Sequence, residues 1–200
     1  GTEPFDGVVL AVPGRAAADL LDSPGCAEAA AGLKAIQTAS VVLATLAYPA
    51  GELAIPGDAS GFLVPRGEGR LMTACSFGSN KWPHWSEPTI AILRVSAGRA
   101  GDDRPSALDD ESLVERLQQE VASALGTTAA PTAWRVNRWP GSFPQYTVNH
   151  LERVAAIEAS LGRALPQVVL AGASYRGSGI PACIASGRRA AASLLARSGG

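Results

Sequence analysis

Cysteine, histidine and methionine are scarce in this 200-residue chain, at three, two and one copies. Cys26, Cys75 and Cys183 are odd in number and widely spaced, so neither a disulfide framework nor a zinc cluster follows. Free thiols in a reducing cytosol are the simplest reading. His84 and His150 lie too far apart in sequence to suggest a metal site between them. An excess of one charge is also lacking: 17 basic against 18 acidic residues leave a net charge of -1. That balance argues against a nucleic-acid partner, which needs a basic face. No apolar run reaches the ~18–20 residues that span a bilayer. The opening Gly1-Thr2-Glu3-Pro4 carries no basic residue and leads into no signal-peptide core. Met72 is the only methionine, so the chain reads as a piece of a longer protein. The location expected is cytoplasmic, with peripheral membrane association left open.

What is present is an ordinary folding composition, 46% apolar and 18% charged. Gly7 to Val12 is a short apolar run ended by Pro13, which reads as a strand buried on both faces, followed by a helix to Leu21. A second helix is expected over 27–36. Strands are expected over 39–48, 61–65, 70–77, 89–97 and 133–139, separated by turn-forming clusters such as Pro56-Gly57-Asp58. Short turns between consecutive strands predict an antiparallel sheet, with Trp134 and Trp139 in its core. Leu113, Leu117, Val121 and Leu125 recur every four residues behind Asp109, Asp110 and Glu111, which predicts a helix stopped by Gly126. Another helix over 149–161 should turn Leu151, Val154, Ile157 and Leu161 inward. The fold class expected is α/β plus α+β. Parallel β–α elements at residues 1–22 and 141–200 flank an antiparallel sheet with helices over 23–140.

The end of the chain is the most informative. Val168-Val169-Leu170-Ala171 is a buried strand, 172–179 a Gly-rich connection, and Ile180-Pro181 the start of an Ala-rich helix. The first amides of a helix lack internal partners, and its dipole adds partial positive charge there. Gly177 and Gly179 would let the backbone approach a ligand closely. Spacing alone leaves a ligand cradle and a bare structural corner both open. The dinucleotide fingerprint G-x-G-x-x-G is absent.

The segment Leu170-Ala-Gly-Ala-Ser-Tyr-Arg-Gly-Ser-Gly-Ile-Pro-Ala-Cys-Ile184, followed by Ser186-Gly-Arg-Arg-Ala190, resembles the C-terminal flavin motif of the protoporphyrinogen and coproporphyrinogen oxidases. Pro144-Gln-Tyr-Thr-Val-Asn-His150 resembles that family's P-Q-Y-x-x-G-H stretch. Gly61-Phe-Leu-Val-Pro65, Leu71-Met-Thr-Ala-Cys-Ser76 and Lys81-Trp-Pro-His84 resemble its substrate-domain hairpin. Phe5 to Pro13 resembles its strand returning to the FAD domain.

The resemblance implies FAD as cofactor, with Ala173, Ser178, Gly179 and Ile180 against it, and Leu63, with Phe62 beside it, lining a tetrapyrrole cavity. It implies oxidation of a porphyrinogen in haem biosynthesis, with hydride passed to FAD and O2 as final acceptor, giving H2O2. Coproporphyrinogen III is the favoured substrate and protoporphyrinogen IX the alternative. The N-terminal half that holds the nucleotide would be a further partner, as would another enzyme of the pathway. By itself the chain would be inactive, and a non-catalytic binding module is the rival from another class. Ser178 and Asn149 depart from the family's usual residues. Arg66, Arg70, Lys81 and His84 are candidates for substrate carboxylates, although solvated surface accounts for each singly. Trp134 and Trp139 suit core packing better than a ligand stack. His150 suits a structural hydrogen bond better than a general base, and Gln145 and Tyr146 suit a supporting role. No residue demands an acid–base role, and no metal is expected.

Overall fold

The computed structural model describes residues 3–85 and 87–198. In chain order the elements are β1 (Val8–Leu10), α1 (Gly14–Leu20), α2 (Ala27–Lys34), β2 (Thr38–Pro49), β3 (Gly61–Leu63), β4 (Met72–Phe77), α3 (Gly78–Lys81), β5 (Ile90–Ala97), α4 (Arg104–Ala107), α5 (Asp110–Leu125), β6 (Ala133–Pro144), α6 (His150–Ala164), β7 (Val168–Leu170) and α7 (Ile180–Ser198). They divide into one unit of residues 1–38 with 144–200, and a second of residues 39–143. The chain thus crosses at 38/39 and 143/144, against 22/23 and 140/141 as read from the sequence.

In the first unit β1 and β7 pair in parallel, Val8 opposite Val168 and Leu10 opposite Leu170. Val8 and Val9 stay 41% and 38% exposed, so the expected burial on both faces does not hold in this chain. Three residues per strand and one neighbour apiece provide too little cover. Beside the strands, Ala17, Leu21, Leu33, Val154, Ile157 and Tyr175 share one buried cluster. The inward row of α6 is His150, Val154, Ile157 and Leu161, whereas Leu151, expected inward, is 54% exposed. Stepping i, i+4, i+7, i+11 from His150 gives one helix face, and Leu151 lies a ~100° turn away from it.

The second unit is a five-stranded sheet ordered β3-β4-β5-β2-β6. β3–β4, β4–β5 and β5–β2 are antiparallel, as expected. Alternation decides which side chains point inward: Val42, Ala44, Leu46 and Tyr48 of β2 and Ala91, Leu93, Val95 and Ala97 of β5 are all buried. α5 adds Leu113, Leu117 and Val121 to the same core. Its N-cap is Asp109, whose Oδ1 accepts from the Ser112 amide at 2.7 Å, and Gly126 closes it in the left-handed region. Glu120 on α5 accepts from the amides of Leu71 and Met72, both at 2.8 Å, which anchors the start of β4. Trp134 and Trp139, expected in the core, are 41% and 53% exposed on the edge strand β6.

Burial governs ionisation in both cores. The Tyr48 phenol has no hydrogen-bond partner among the described residues, and burial, with Cys75 adding to it, pushes its pKa up to about 12. Burial alone pushes the Cys75 thiol up to about 12, and burial with nearby Glu158 does the same to Tyr175. Each of these groups is neutral when folded and would ionise more readily when unfolded. Their stabilising contribution is therefore complete below the ordinary values of 9.0 for the thiol and 10.0 for the phenols. It falls as pH rises toward about 12. The expected result is alkaline loss of folding, with Tyr48 and Tyr175 ionising late or together with unfolding. Phenolate absorbance and circular dichroism followed across the same pH range check this; early ionisation of both phenols in the folded state would contradict it.

Candidate functional site

The turn between β7 and α7 is held residue by residue. The Gly172 amide donates to Ser186 Oγ at 3.1 Å. The Tyr146 hydroxyl donates to the Ala173 carbonyl at 2.6 Å and accepts from the Gly177 amide at 2.7 Å, so one phenol spans the turn. Ser174 Oγ accepts from the Gly14 amide at 3.1 Å, which ties the turn to the start of α1. His150 Nε2 lies 2.8 Å from the Tyr175 carbonyl. A carbonyl only accepts, so that nitrogen carries the proton. Arg176 pairs with Glu158 at 2.5 Å. The Tyr146 ring stacks on His150, centroids 4.0 Å apart and planes 11° apart, so the two side chains brace each other.

The next three residues are bare. Ser178, Gly179 and Ile180 are exposed, Ile180 at 78%, and their amides have no hydrogen-bond partner among the described residues. They stand at the head of the 19-residue α7, where the dipole adds partial positive charge. Pro181 occupies the first helical turn, where its missing N–H costs nothing. Fixed, unpaired donors beside a glycine without a side chain suit the electron-rich edge of a planar ring system such as a flavin. Ala173, half-buried, belongs to the same turn, its carbonyl already taken by Tyr146. All four residues that the resemblance assigns to the cofactor thus come together here.

Sequence reasoning gave His150 a structural hydrogen bond, and it makes one. It missed how directly Tyr146 governs the turn. The four-residue spacing of Tyr146 and His150 at a helix start was the available signal. Asn149 takes φ +62°, the left-handed region that glycine enters freely and asparagine tolerates. That explains how asparagine can stand where the resembling oxidases carry glycine.

Tyr146→Phe removes the bridge and keeps the stacked ring. About 1 kcal/mol of stability should be lost, a discounted value because the phenol is partly solvated. The Gly177 amide should exchange with solvent about fivefold faster, as befits that energy. Hydrogen exchange by NMR measures it, and unchanged protection would show that the bridge does not hold the turn.

In the second unit Leu63 points outward, 82% exposed, whereas Phe62 turns inward, its ring 6.0 Å from Phe77 and edge-on. Phe62 is committed to packing, and Leu63 is the one available to a ligand. Lys81 sits 5.0 Å over the Trp82 ring, and His84 lies edge-on to Trp85 at 5.9 Å. Arg66 and Arg70 lie elsewhere, around a cavity shared with Arg99 and Arg104.

Known proteins resemble this chain in sequence and fold. The coproporphyrinogen III oxidase of Bacillus subtilis strain 168 is 32% identical over 190 residues, 95% of this chain and 40% of that protein. Its counterpart in Mycobacterium bovis is 34% identical over 190 residues, with the same shares of 95% and 40%. A crystal structure from Exiguobacterium sp. 255-15, provisionally assigned as a protoporphyrinogen oxidase, superposes with a TM-score of 0.80 at 29% identity, over 95% of this chain and 41% of that one. The chain therefore spans about 40% of the length of the curated relatives it matches. No helix among the described residues is long and apolar enough to cross a membrane. Residues 1–195 match the family described as flavin containing amine oxidoreductase, and the chain belongs to that family.

Proposed function

We propose that this chain forms the C-terminal part of an FAD-dependent porphyrinogen oxidase, with Gly177 to Ile180 as the wall that faces the flavin. The observation that carries the reading is the contrast within one turn. Residues 172–177 are tied down by hydrogen bonds and an ion pair to other parts of the unit, and the three amides that follow have no partner among the described residues. When bound, FAD supplies the hydride acceptor and the electron path to oxygen. The chain's own contribution is positional. Tyr146 and His150 fix the turn, the amides of Ser178, Gly179 and Ile180 donate toward negative charge, and Ala173 adds a small contact. Leu63 offers an apolar wall to a macrocycle, as expected of a pocket for a large, largely apolar ligand.

Coproporphyrinogen III is the substrate favoured by the relatives' names. Conversion to the porphyrin removes six hydrogens in three two-electron steps, each matched by reduction of one O2 to H2O2. In the test, the protein is produced with the additional length present in its relatives and loaded with FAD. It should be yellow, consume O2 and form fluorescent coproporphyrin. Protoporphyrinogen IX runs in parallel to settle preference. The 200-residue chain alone should bind FAD weakly or not at all. An extended form that binds FAD and oxidises neither porphyrinogen refutes the proposal.

A further inference from the structure

The second unit holds a concentration of positive charge that the flavin turn does not use. A cavity of about 360 Å³ is lined by Arg66, Arg70, Arg99 and Arg104, with Asp102 and Asp103 among them. The arginines come from two turns, one leading into β4 and one following β5, and they staple the turns together. Arg66 donates to the Ala100 carbonyl at 3.1 Å and Arg99 to the Met72 carbonyl at 3.4 Å. Arg104 grips Asp102 through Nε at 2.8 Å and Nη2 at 2.7 Å, and reaches the Gly69 and Arg70 carbonyls at 3.3 and 3.4 Å. Arg70 donates to Ser123 Oγ at 3.3 Å.

Stapling alone leaves two things unexplained. The charge does not balance: four guanidinium groups face two carboxylates. Of those two, Asp102 is claimed by Arg104, which lowers its pKa. Glu120, which acts electrostatically on Arg104, has both oxygens on the amides of Leu71 and Met72, and Glu68, on the same turn as Arg66, makes no ion pair among the described residues. The donors do not balance either. Each guanidinium carries five N–H groups in a rigid fork, yet among the described residues Arg66, Arg70 and Arg99 make one side-chain bond each, to neutral oxygens. Arg99 Nε is buried with no partner among the described residues. Like charges gathered in a concavity repel unless an anion joins them.

We propose that this arginine basin is an oxyanion-binding site, taking a carboxylate or phosphate group with at least two free oxygens. Paired forks suit such a group because each offers two parallel donors. The ligand is either the pendant carboxylate of an organic molecule or a phosphate. The site stands whether or not the flavin reading does, since none of its residues belongs to that turn.

Calorimetric titration of the protein with citrate and with inorganic phosphate, at low ionic strength, tests it. One of the two should bind saturably at a single site in the millimolar range or tighter. Added salt should weaken it. Arg66→Gln and Arg99→Gln should each weaken it at least tenfold. Arg70→Gln, at a half-buried position, repeats the test should Arg99→Gln fail to fold. Arg189→Gln, on α7, should leave it unchanged. Tighter citrate binding identifies a carboxylate ligand, and tighter phosphate binding a phosphate. Absence of saturable binding by both overturns the proposal, and so does equal affinity in wild type and the folded basin variants.

Discussion

Gly61→Ala should destabilise the second unit by about 3–5 kcal/mol, the range of a steric conflict that neither side can relieve cheaply. Gly61 opens β3 at φ +140°, a conformation that side-chain-bearing residues rarely adopt. A Cβ there would stand 2.2 Å from the Cys75 carbonyl oxygen and 2.8 Å from the Ser76 Cα. Both are backbone atoms of the partner strand, and Gly61 pairs directly with Ser76, so the clash yields only if β3 leaves β4. Phe62 would then lose its contact with Phe77, and Leu63 would leave its place on the outer face. Urea denaturation measures the loss. Gly57→Ala is the control: nothing lies within 4 Å of its would-be Cβ and its φ is ordinary, so it should stay within about 0.5 kcal/mol of wild type. Equal stability of the two variants would mean that β3 does not sit on β4 as described.

Much of this layout was legible because it follows from period and punctuation. α5 was readable at both ends, since an acidic N-cap, a four-residue apolar repeat and a terminal glycine all agree. β2, β4 and β5 were readable from β-branched and aliphatic runs between turn residues. The misses share a physical cause: local sequence does not report which neighbours a residue will have. A strand was expected over 133–139, yet β6 runs on through Pro140 and Gly141 to Pro144. β6 lies at the sheet's edge, where a missing proline N–H breaks no ladder. The same edge position leaves Trp134 and Trp139 exposed. Leu151 looked like part of the α6 stripe, but His150 holds the inward position because the Tyr175 carbonyl requires a donor there. At the candidate site the turn, its glycines and the helix start were all visible. The clamp on it was not, because Gly14 and Tyr146 reach it from distant parts of the sequence and Ser186 reaches back to it from α7.

That clamp makes Gly177→Ala the most informative change at the site. Gly177 adopts φ +138°, and a Cβ there would lie 2.6 Å from the Cβ of Ala182 in the first turn of α7. Two conflicts act together, an unfavourable backbone angle costing about 1–3 kcal/mol and an overlap that pushes the turn away from its helix. The Gly177 amide must then lose its geometry with the Tyr146 hydroxyl, and the amides of Ser178 to Ile180 turn with it. On the proposed function, FAD affinity of the extended protein should fall about thirtyfold or more, about 2 kcal/mol at the tenfold-per-1.4 conversion. Ser178→Ala separates backbone from side chain. It keeps the amide and removes only the hydroxyl, so it should change affinity less than threefold if the backbone is what meets the flavin. Flavin fluorescence quenching on titration reads both. A large loss in Ser178→Ala with retention in Gly177→Ala would assign the contact to the serine hydroxyl and remove the helix-head amides from the site.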